Sequence, residues 1–349
     1  MHMADALLSP AVGGTMWAVS AGAIAFCSTK VRAELDDRKV PLMGVLGAFI
    51  FAAQMINFTI PGTGSSGHLG GGLLLAVLLG PHAAFLTIAS VLVVQALFFA
   101  DGGLLALGCN IFNLGFFPAF IAYPFIYKKI AGAQPGRVRL AGAAIVAAVA
   151  GLQMGAFGVV LETALSGISS LPFSTFLLLM QPIHLAIGIV EGLVTAAVLS
   201  FVYQARPEML TETGEPSRRT LRPTGVLLLG FLAVTLLTAG ILSWYASAHP
   251  DGLEWAIAKV TGTEELAEPA SGIFPALASV QQKTSLFPDY TLAGPAELPA
   301  DETVVHGGGN SAVAGDLGTS VAGIVGSLMT LALASLAAFL LRKRPLPVR

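Results

Sequence analysis

Charged residues are scarce in this chain: only 11% of its 349 residues are Asp, Glu, Lys or Arg, whereas 55% are hydrophobic. Soluble domains carry about 25% charged residues, so the composition excludes a soluble globular protein.

Cysteine is almost absent as well. Cys27 and Cys109 fall near opposite faces of the membrane in the topology derived below. Because bridged Cα atoms lie within ~7 Å of each other, we expect no disulfide between them.

Motifs typical of hydrolases are missing too. The chain has no G-x-x-x-x-G-K-[ST] phosphate loop, which excludes ATP hydrolysis by the usual route, and no H-E-x-x-H zinc-protease pair. Ser65 and Ser66 precede His68, but no carboxylate lies nearby in sequence to orient that histidine. We therefore expect neither an enzyme nor a resident cofactor, and no nucleic-acid partner.

Apolar runs of membrane-spanning length are abundant, and such a helix needs ~20 residues. The third run covers only about 12 residues, which is short for a span, and it is retained because of the charge distribution. The nine predicted spans are residues 10–29, 41–60, 69–80, 82–99, 104–127, 139–165, 172–204, 225–246 and 318–341.

Lysine and arginine determine the expected orientation. Sixteen of the 18 basic residues fall in four short loops or tails, within residues 30–39, 128–139, 206–222 and 342–349. The positive-inside rule places all four groups in the cytoplasm. Three crossings between residues 60 and 127 then fit, if the third and fourth spans form a hairpin at Gly80-Pro81. The prediction is an all-α polytopic membrane protein of about nine transmembrane helices, with the N-terminus outside and the C-terminus inside.

The spans divide into two predicted units. Residues 1–204 form a seven-helix bundle, 205–223 a polar cytoplasmic linker, and 224–349 a two-helix unit. The external segment 247–317 of the second unit holds ten of the chain's 20 acidic residues. This segment either raises the local concentration of cations or is a solvated loop, and part of it, including Gly307-Gly308-Gly309, is expected to be flexible.

The first two residues carry the strongest functional signal. The chain shows no cleavable signal peptide, and initiator methionine is usually removed only before a small residue, so we expect Met1 to remain ahead of His2. Such a terminus offers three nitrogens in one plane: the Met1 α-amine, the His2 amide nitrogen once a metal displaces its proton, and an imidazole nitrogen of His2. Tetragonal nitrogen fields of this kind suit Ni(II) or Cu(II).

A fourth nitrogen is offered by His68, which ends the loop 61–68 between the second and third spans. The topology places this loop on the same external face as the terminus. Three glycines follow His68, so the backbone can fold closely around a bound ion. Met1, His2 and His68 are therefore the predicted metal ligands.

Other polar residues in or near the membrane are weaker candidates. Asp5 lies in the mostly apolar segment 1–8, which suits a plug inserted into the helix bundle, and it either orients an imidazole or caps a turn. Asp101 and Glu162 are predicted at outer helix ends, where water reaches them. His184 lies well inside its span, and we interpret it as a satisfied packing histidine.

Four motifs together resemble one family. The chain opens with Met-His-Met-Ala-Asp-Ala-Leu-Leu-Ser-Pro, and Ser-Gly-His-Leu-Gly-Gly at 66–71 and Asp-Gly-Gly-Leu-Leu-Ala-Leu-Gly at 101–108 follow. These resemble the substrate-specific membrane component of nickel and cobalt energy-coupling-factor (ECF) transporters, the NikM/CbiM family. Pro-Asp-Gly-Leu-Glu-Trp at 250–255 is similar to the family's small accessory component. The likeness covers nearly the whole chain and is that of a nickel-type M–N fusion.

The resemblance implies a seven-helix first unit with an inserted N-terminus, and a metal held by Met1, His2 and the histidine matching His68. It also implies a transmembrane coupling (T) subunit and cytoplasmic ATPase (A) subunits as partners, in the cell membrane of a prokaryote. Residues 3–6, Met-Ala-Asp-Ala, are closer to the nickel branch than to cobalt members, which tend to carry an Ile-Pro-containing sequence there. The second span carries a stripe of small residues, Gly44, Ala48 and Ala52, which docks either the coupling subunit or another helix of this chain.

The predicted function is thus a nickel(II)-binding subunit of an ATP-driven importer, with Ni(II) as the transported ligand. The first alternative is the same machine carrying Co(II). A second is a self-sufficient cation transporter or channel, which pairs of buried carboxylates would support. The third is an intramembrane hydrolase, which a reactive-serine probe would detect.

Overall fold

The computed structural model describes residues 1–34, 39–210, 224–291 and 310–342. Within these ranges the chain is helical except for loops, short 3₁₀ turns and one antiparallel ribbon, β1 (Phe58–Ile60) with β2 (Ser65–Gly67). The helices are α1 (Pro10–Glu34), α2 (Lys39–Gln54), α3 (Gly72–Leu79), α4 (Pro81–Phe99), α5 (Leu107–Ala131), α6 (Arg137–Ser166), α7 (Phe173–Ala205), α8 (Thr224–Gly240), α9 (Gly252–Thr261), α10 (Phe274–Thr284) and α11 (Asn310–Leu341).

Six of these helices are long and apolar enough to cross a membrane, namely α1, α4, α5, α6, α7 and α11. The shorter helices α2 and α8 are apolar too. Large apolar side chains point outward from this bundle, such as Leu178, which is 72% exposed, and Leu340, which is 65% exposed. Such side chains suit contact with lipid. The predicted fold class is confirmed: the chain is a polytopic all-α membrane protein, and each of the nine predicted spans corresponds to a helix in the described ranges.

The third helix differs from its predicted span of 69–80. Helix α3 has eight residues, all buried, and is therefore only about 12 Å long, too short to cross ~30 Å of hydrocarbon. Residues 69–71 belong instead to the loop that follows His68, because Gly71 adopts a left-handed conformation with φ of 77°. The chain turns at Gly80 and α4 begins at Pro81, so the hairpin lies where it was predicted.

The second unit packs closely on the first through α2 and α11. A side chain at Gly44 would come within 3.0 Å of the main-chain oxygen of Leu331 in α11. Ala48 and Ala52 are fully buried inside the chain. The small-residue stripe of the second span is therefore covered by the chain itself, and the alternative that it docks a separate subunit is not supported.

The external segment is docked on the first unit in its described part. The Ser66 amide of β2 donates a hydrogen bond to the carbonyl of Pro250 at 2.8 Å. Gln281 in α10 donates to the carbonyls of Ala96 and Gly102 at 2.9 and 2.8 Å. Residues 250–281 are thus held against the loops around the N-terminus. Most of the predicted linker (211–223) and Gly307-Gly308-Gly309 lie outside the described residues.

Candidate metal centre

The first eight residues are inserted into the bundle, as their apolar sequence predicts. Met1 is 5% exposed, and Met3 and Leu8 are fully buried. The side chain of Asn110 in α5 holds this segment in the manner of a neighbouring strand: its Oδ1 accepts from the Met3 amide at 2.8 Å and its Nδ2 donates to the Met3 carbonyl at 3.3 Å. The Gly103 amide donates to the same carbonyl at 2.9 Å. Met1 and His2 are thereby fixed in place.

Asp5 anchors the other end of the inserted segment. Its Oδ1 accepts from the Ala106 amide at 2.9 Å, immediately before α5 begins. A side chain at Gly103 would collide with Asp5, whose main-chain nitrogen would be 2.5 Å away. Of the two expected roles for Asp5, the structure therefore supports capping of a turn rather than orientation of an imidazole.

The three predicted ligands meet at one point. The α-nitrogen of Met1 lies 3.3 Å from Nε2 of His68. The imidazole rings of His2 and His68 stack with centroids 4.9 Å apart and planes inclined by 14°. Two imidazoles and a terminal nitrogen thus converge from segments 67 residues apart in sequence, in a site that is almost closed to solvent.

A hydrogen bond to the main chain fixes the tautomer of His68, which directly follows β2. Nδ1 of His68 lies 3.1 Å from the carbonyl oxygen of Leu69. Because a carbonyl only accepts hydrogen bonds, Nδ1 must carry the proton, and Nε2 presents its lone pair toward Met1. Metal-ligating histidines are commonly fixed in their tautomer in this way.

His2 is oriented by a carboxylate. Its Nδ1 lies 3.1 Å from Oδ1 of Asp101, and its Nε2 is buried with no hydrogen-bond partner in the described part of the chain. Burial lowers the pKa of His2 to about 4, although Asp101 opposes the shift, so the ring is neutral near pH 7. A six-membered chelate ring with the His2 amide nitrogen uses Nδ1, so metal binding in that mode requires Asp101 to give up its contact or the ring to turn.

Asp251 is a member of the site that sequence reasoning missed. Its Oδ2 accepts from the Met1 α-ammonium at 2.9 Å and lies 3.7 Å from Nε2 of His68. Burial alone would raise the pKa of Asp251, but the charge of the Met1 ammonium beside it favours the carboxylate, and the pKa lies well below its usual range. The second unit thus places a carboxylate directly against the N-terminus.

A capping box fixes the position of this carboxylate. Oδ1 of Asp251 accepts from the amides of Leu253 and Glu254 at 2.7 and 2.9 Å, and Oε2 of Glu254 accepts from the Asp251 amide at 2.9 Å. The D-x-x-E spacing at 251–254 is the sequence signature of a helix start. It predicts where α9 begins but contains no signal for the contact with Met1.

Glu191 supports the His68 loop from inside the bundle. This carboxylate on α7 is 3% exposed and accepts from the amides of Gly70 and Gly71 at 3.1 and 3.0 Å. Gln54 of α2 donates to the Gly70 carbonyl at 2.9 Å. The loop that carries His68 is therefore held by side chains from two helices.

An acidic cavity of about 480 Å³ adjoins His2 and reaches exposed carboxylates of the external segment. Glu254 lines this cavity, and burial, followed by the smaller effect of the Asp251 charge, raises its pKa to about 7. A cleft lined by one sign of charge concentrates ions of the opposite sign, and this one favours cations. Its acidic lining residues are Asp5, Asp101, Asp251, Glu254, Glu264, Glu265, Glu268 and Asp289.

The donor set at the centre of this site is built from nitrogen. No three His, Cys, Asp or Glu side chains converge as a preformed metal site in the described part of the chain. The candidate donors are instead main-chain nitrogens of Met1 and His2 together with two imidazoles. Such a set suits a tetragonal ion such as Ni(II) or Cu(II), and the terminal amine makes it inseparable from a free N-terminus.

Comparison with known proteins gives the chain two family matches. The model described as cobalt uptake substrate-specific transmembrane region (CbiM) matches residues 2–209, and that of the PDGLE domain matches residues 225–343. The chain is 31% identical to the inferred fused nickel transport protein NikMN of Archaeoglobus fulgidus, over 95% of this chain and 96% of that protein. It is also 31% identical to the cobalt transport protein CbiM of Geobacter sulfurreducens, over 69% and 72% of the two chains.

A solved structure is similar as well. The crystal structure of a truncated transition metal transporter matches with a TM-score of 0.51 and 30% sequence identity. The match covers 58% of this chain and 99% of the other. The similarity thus involves the greater part of this chain and nearly all of the solved one.

Proposed function

Because this chain belongs to the family of cobalt uptake substrate-specific transmembrane regions and carries a PDGLE domain behind that region, we propose that it is the nickel(II)-binding, substrate-specific component of an ECF-type importer. Met1, His2 and His68 hold the ion on the external side. The metal is cargo, so the chain needs no resident cofactor.

One observation supports this proposal above all: the α-nitrogen of Met1 lies 3.3 Å from Nε2 of His68, beside the stacked ring of His2. In the structure, the ammonium donates a hydrogen bond to Nε2 of His68 across this distance. An ion that displaces one proton from the ammonium replaces this hydrogen bond with one bond to the resulting amine nitrogen and one to Nε2 of His68. The His2 amide nitrogen and imidazole complete a square of four nitrogens, which is a geometry that Ni(II) favours.

Cobalt remains the main alternative. Relatives of this chain include proteins named for nickel transport and for cobalt transport. Nickel is favoured by the four-nitrogen square, because affinities for nitrogen sites generally rise from Co(II) to Ni(II). The fused accessory unit, shared with the relative named NikMN, points the same way.

Energy for transport is proposed to come from partner subunits in a prokaryotic cell membrane. The proposed partners are a transmembrane T subunit and cytoplasmic ATPase (A) subunits, and membrane lipid surrounds the helices. A self-sufficient transporter is less well supported, because the buried carboxylates of the long helices bond to amide donors. Glu191 accepts from the amides of Gly70 and Gly71. Glu162, which was predicted to be within reach of water, is only 7% exposed and accepts from Nδ2 of Asn113 at 2.8 Å.

Uptake of radioactive nickel tests the proposal in cells that lack their own nickel transporters. The chain expressed with T and A subunits should accumulate nickel, whereas the chain alone, or with an A subunit whose phosphate-loop lysine is replaced, should not. His68→Ala should abolish uptake in the complete system. Undiminished uptake by the chain alone would contradict an ECF mechanism, and stronger inhibition of labelled uptake by cobalt than by unlabelled nickel would reassign the cargo.

A further inference from the structure

His184 is a buried histidine whose surroundings do not match a packing role. It lies in the middle of α7, has no exposed surface, and its Nδ1 is 2.8 Å from the carbonyl oxygen of Met180. The carbonyl only accepts, so Nδ1 carries the proton and Nε2 has a free lone pair. That Nε2 is buried and has no hydrogen-bond partner in the described part of the chain.

His184 borders a small cavity next to the candidate metal centre. A cavity of about 10 Å³ is bordered by His184, Met1, His68 and Asp251. His2 does not border this cavity, although it borders the acidic cavity on the outer side. His184 therefore shares the small cavity with Met1 and His68, whereas His2 faces the acidic cavity.

Gly252 allows this approach. A side chain at that position would come within 3.2 Å of Cε1 of His184 and within 3.0 Å of Ile187. The turn that carries Asp251 can therefore lie directly over the imidazole. The fused second unit and α7 close the cavity together.

The polar groups around the cavity complement a single water molecule. A cavity of about this volume is near the least that holds one water, which needs two to four polar partners. Here Nε2 of His184 and the carboxylate of Asp251 accept hydrogen bonds, and the terminal nitrogen of Met1 donates them. One water that donates to the first two and accepts from the third satisfies all of these groups.

We propose that His184 is a positioning residue for the Met1 amine: through one ordered water, its Nε2 holds the terminal nitrogen where it binds the metal. This inference rests on the proposed function, because it assigns His184 a role only toward an amine that is a ligand. When the amine is bound to metal, its remaining N–H groups still need acceptors, since the lone pair of His68 is then occupied by the ion. Asp251 supplies one acceptor and the water held by His184 supplies the other.

Two isosteric variants separate this role from packing. Asn resembles the Nδ1 side of histidine and Gln resembles the Nε2 side. His184→Asn therefore retains a donor for the Met180 carbonyl but removes the inward acceptor, whereas His184→Gln retains a polar group near Nε2. We expect the dissociation constant for Ni(II), measured by calorimetry on the full chain, to rise roughly 10–100-fold for His184→Asn, the range for outer-shell partners of metal sites. His184→Gln should lie within about threefold of the unsubstituted chain on that scale.

The opposite order, with Asn harmless and Gln damaging, would show that only the bond to Met180 matters and would overturn the proposal. Equal affinities in all three chains would overturn it as well.

The visible absorption of bound Ni(II) provides a second readout. Its band positions should be unchanged in both variants, because His184 is not a ligand. Shifted bands in His184→Asn would make His184 a direct ligand and contradict the positioning role. His68→Ala serves as the control: if it binds nickel normally, the proposed function itself has failed, whatever the His184 variants do.

Discussion

The α-ammonium of Met1 donates a hydrogen bond of 2.9 Å to Oδ2 of Asp251, a residue that follows it by 250 positions. The carboxylate belongs to the second unit and the ammonium to the first. Asp251 therefore faces one positive charge before metal binds. After binding, Ni(II) and the deprotonated His2 amide together also carry one positive charge. The carboxylate is thus suited to both states as a counter-ion.

Asp251→Asn tests this counter-ion role. Asparagine caps helices about as well as aspartate, so α9 should persist, and the lost charge affects both states similarly. We expect the dissociation constant for Ni(II) to change by less than about tenfold, which is 1.4 kcal/mol. Asp251→Ala, the matched variant, also removes the cap and should cost about 1 kcal/mol of stability, seen in thermal unfolding. Complete loss of nickel in Asp251→Asn would mean instead that Asp251 is a ligand.

Glu191→Ala should weaken metal binding without changing the ligands. It leaves the amides of Gly70 and Gly71 without their acceptor, so the loop that carries His68 loses its support. We expect the nickel dissociation constant to rise roughly 10–100-fold, with unchanged absorption bands of the bound ion. Glu162→Ala is the control, since Glu162 bonds to Asn113 instead of the loop. An unaltered affinity in Glu191→Ala would refute the supporting role.

Nickel affinity should fall with acidity in a defined way. The ion displaces one proton from the ammonium and one from the His2 amide, and metal affinity falls as protons compete for the ligands. Burial lowers the pKa of His2 to about 4, so this ring is neutral and releases no proton between pH 5.5 and 7, a window well above that value. The logarithm of the dissociation constant should therefore rise by about two for each pH unit lost. Calorimetric titrations at several pH values measure the slope, and a pH-independent affinity would exclude amine and amide as ligands.

The predicted orientation can be checked by labelling single cysteines. Arg137 and Glu264 are both exposed, and they belong to a cytoplasmic and an external segment in the predicted topology. The native Cys27 and Cys109 are fully buried, so background labelling should be low. An impermeant maleimide added to intact cells should label Glu264→Cys and spare Arg137→Cys. Labelling of position 137 from outside would overturn the topology.

Much of the fold follows from sequence because it depends on local composition. Apolar runs and basic loops predict the positions of the apolar helices and the turn at Gly80, but not α9 and α10. They do not predict the length of α3, which begins only at Gly72. Its start depends on the positive φ of Gly71 and on the hydrogen bond from the Gly71 amide to Glu191 of a distant helix. Neither feature produces a hydrophobic periodicity that could be read from the sequence near residue 70.

Of the candidate site, only the three proposed ligands could be predicted from the sequence. Met1, His2 and His68 belong to residue types and positions that suggest metal binding by themselves, and the structure brings them together. Asn110, Asp251 and Glu191 act through hydrogen bonds to main-chain groups or to the terminus, from segments 107, 250 and 121 residues away. His184 resembled a packing residue because its free lone pair is visible only once the cavity is known.

The central claim is that the free N-terminus is itself a metal ligand. Any residue added before Met1 turns its amine into an amide and moves His2 out of its chelate position. The most direct measurement is the nickel content of two otherwise identical purified chains, one tagged at Arg349 and one carrying an uncleaved N-terminal extension. We predict stoichiometric nickel in the first and almost none in the second. Equal nickel in both would contradict the account, because the terminal nitrogen could then not be a ligand.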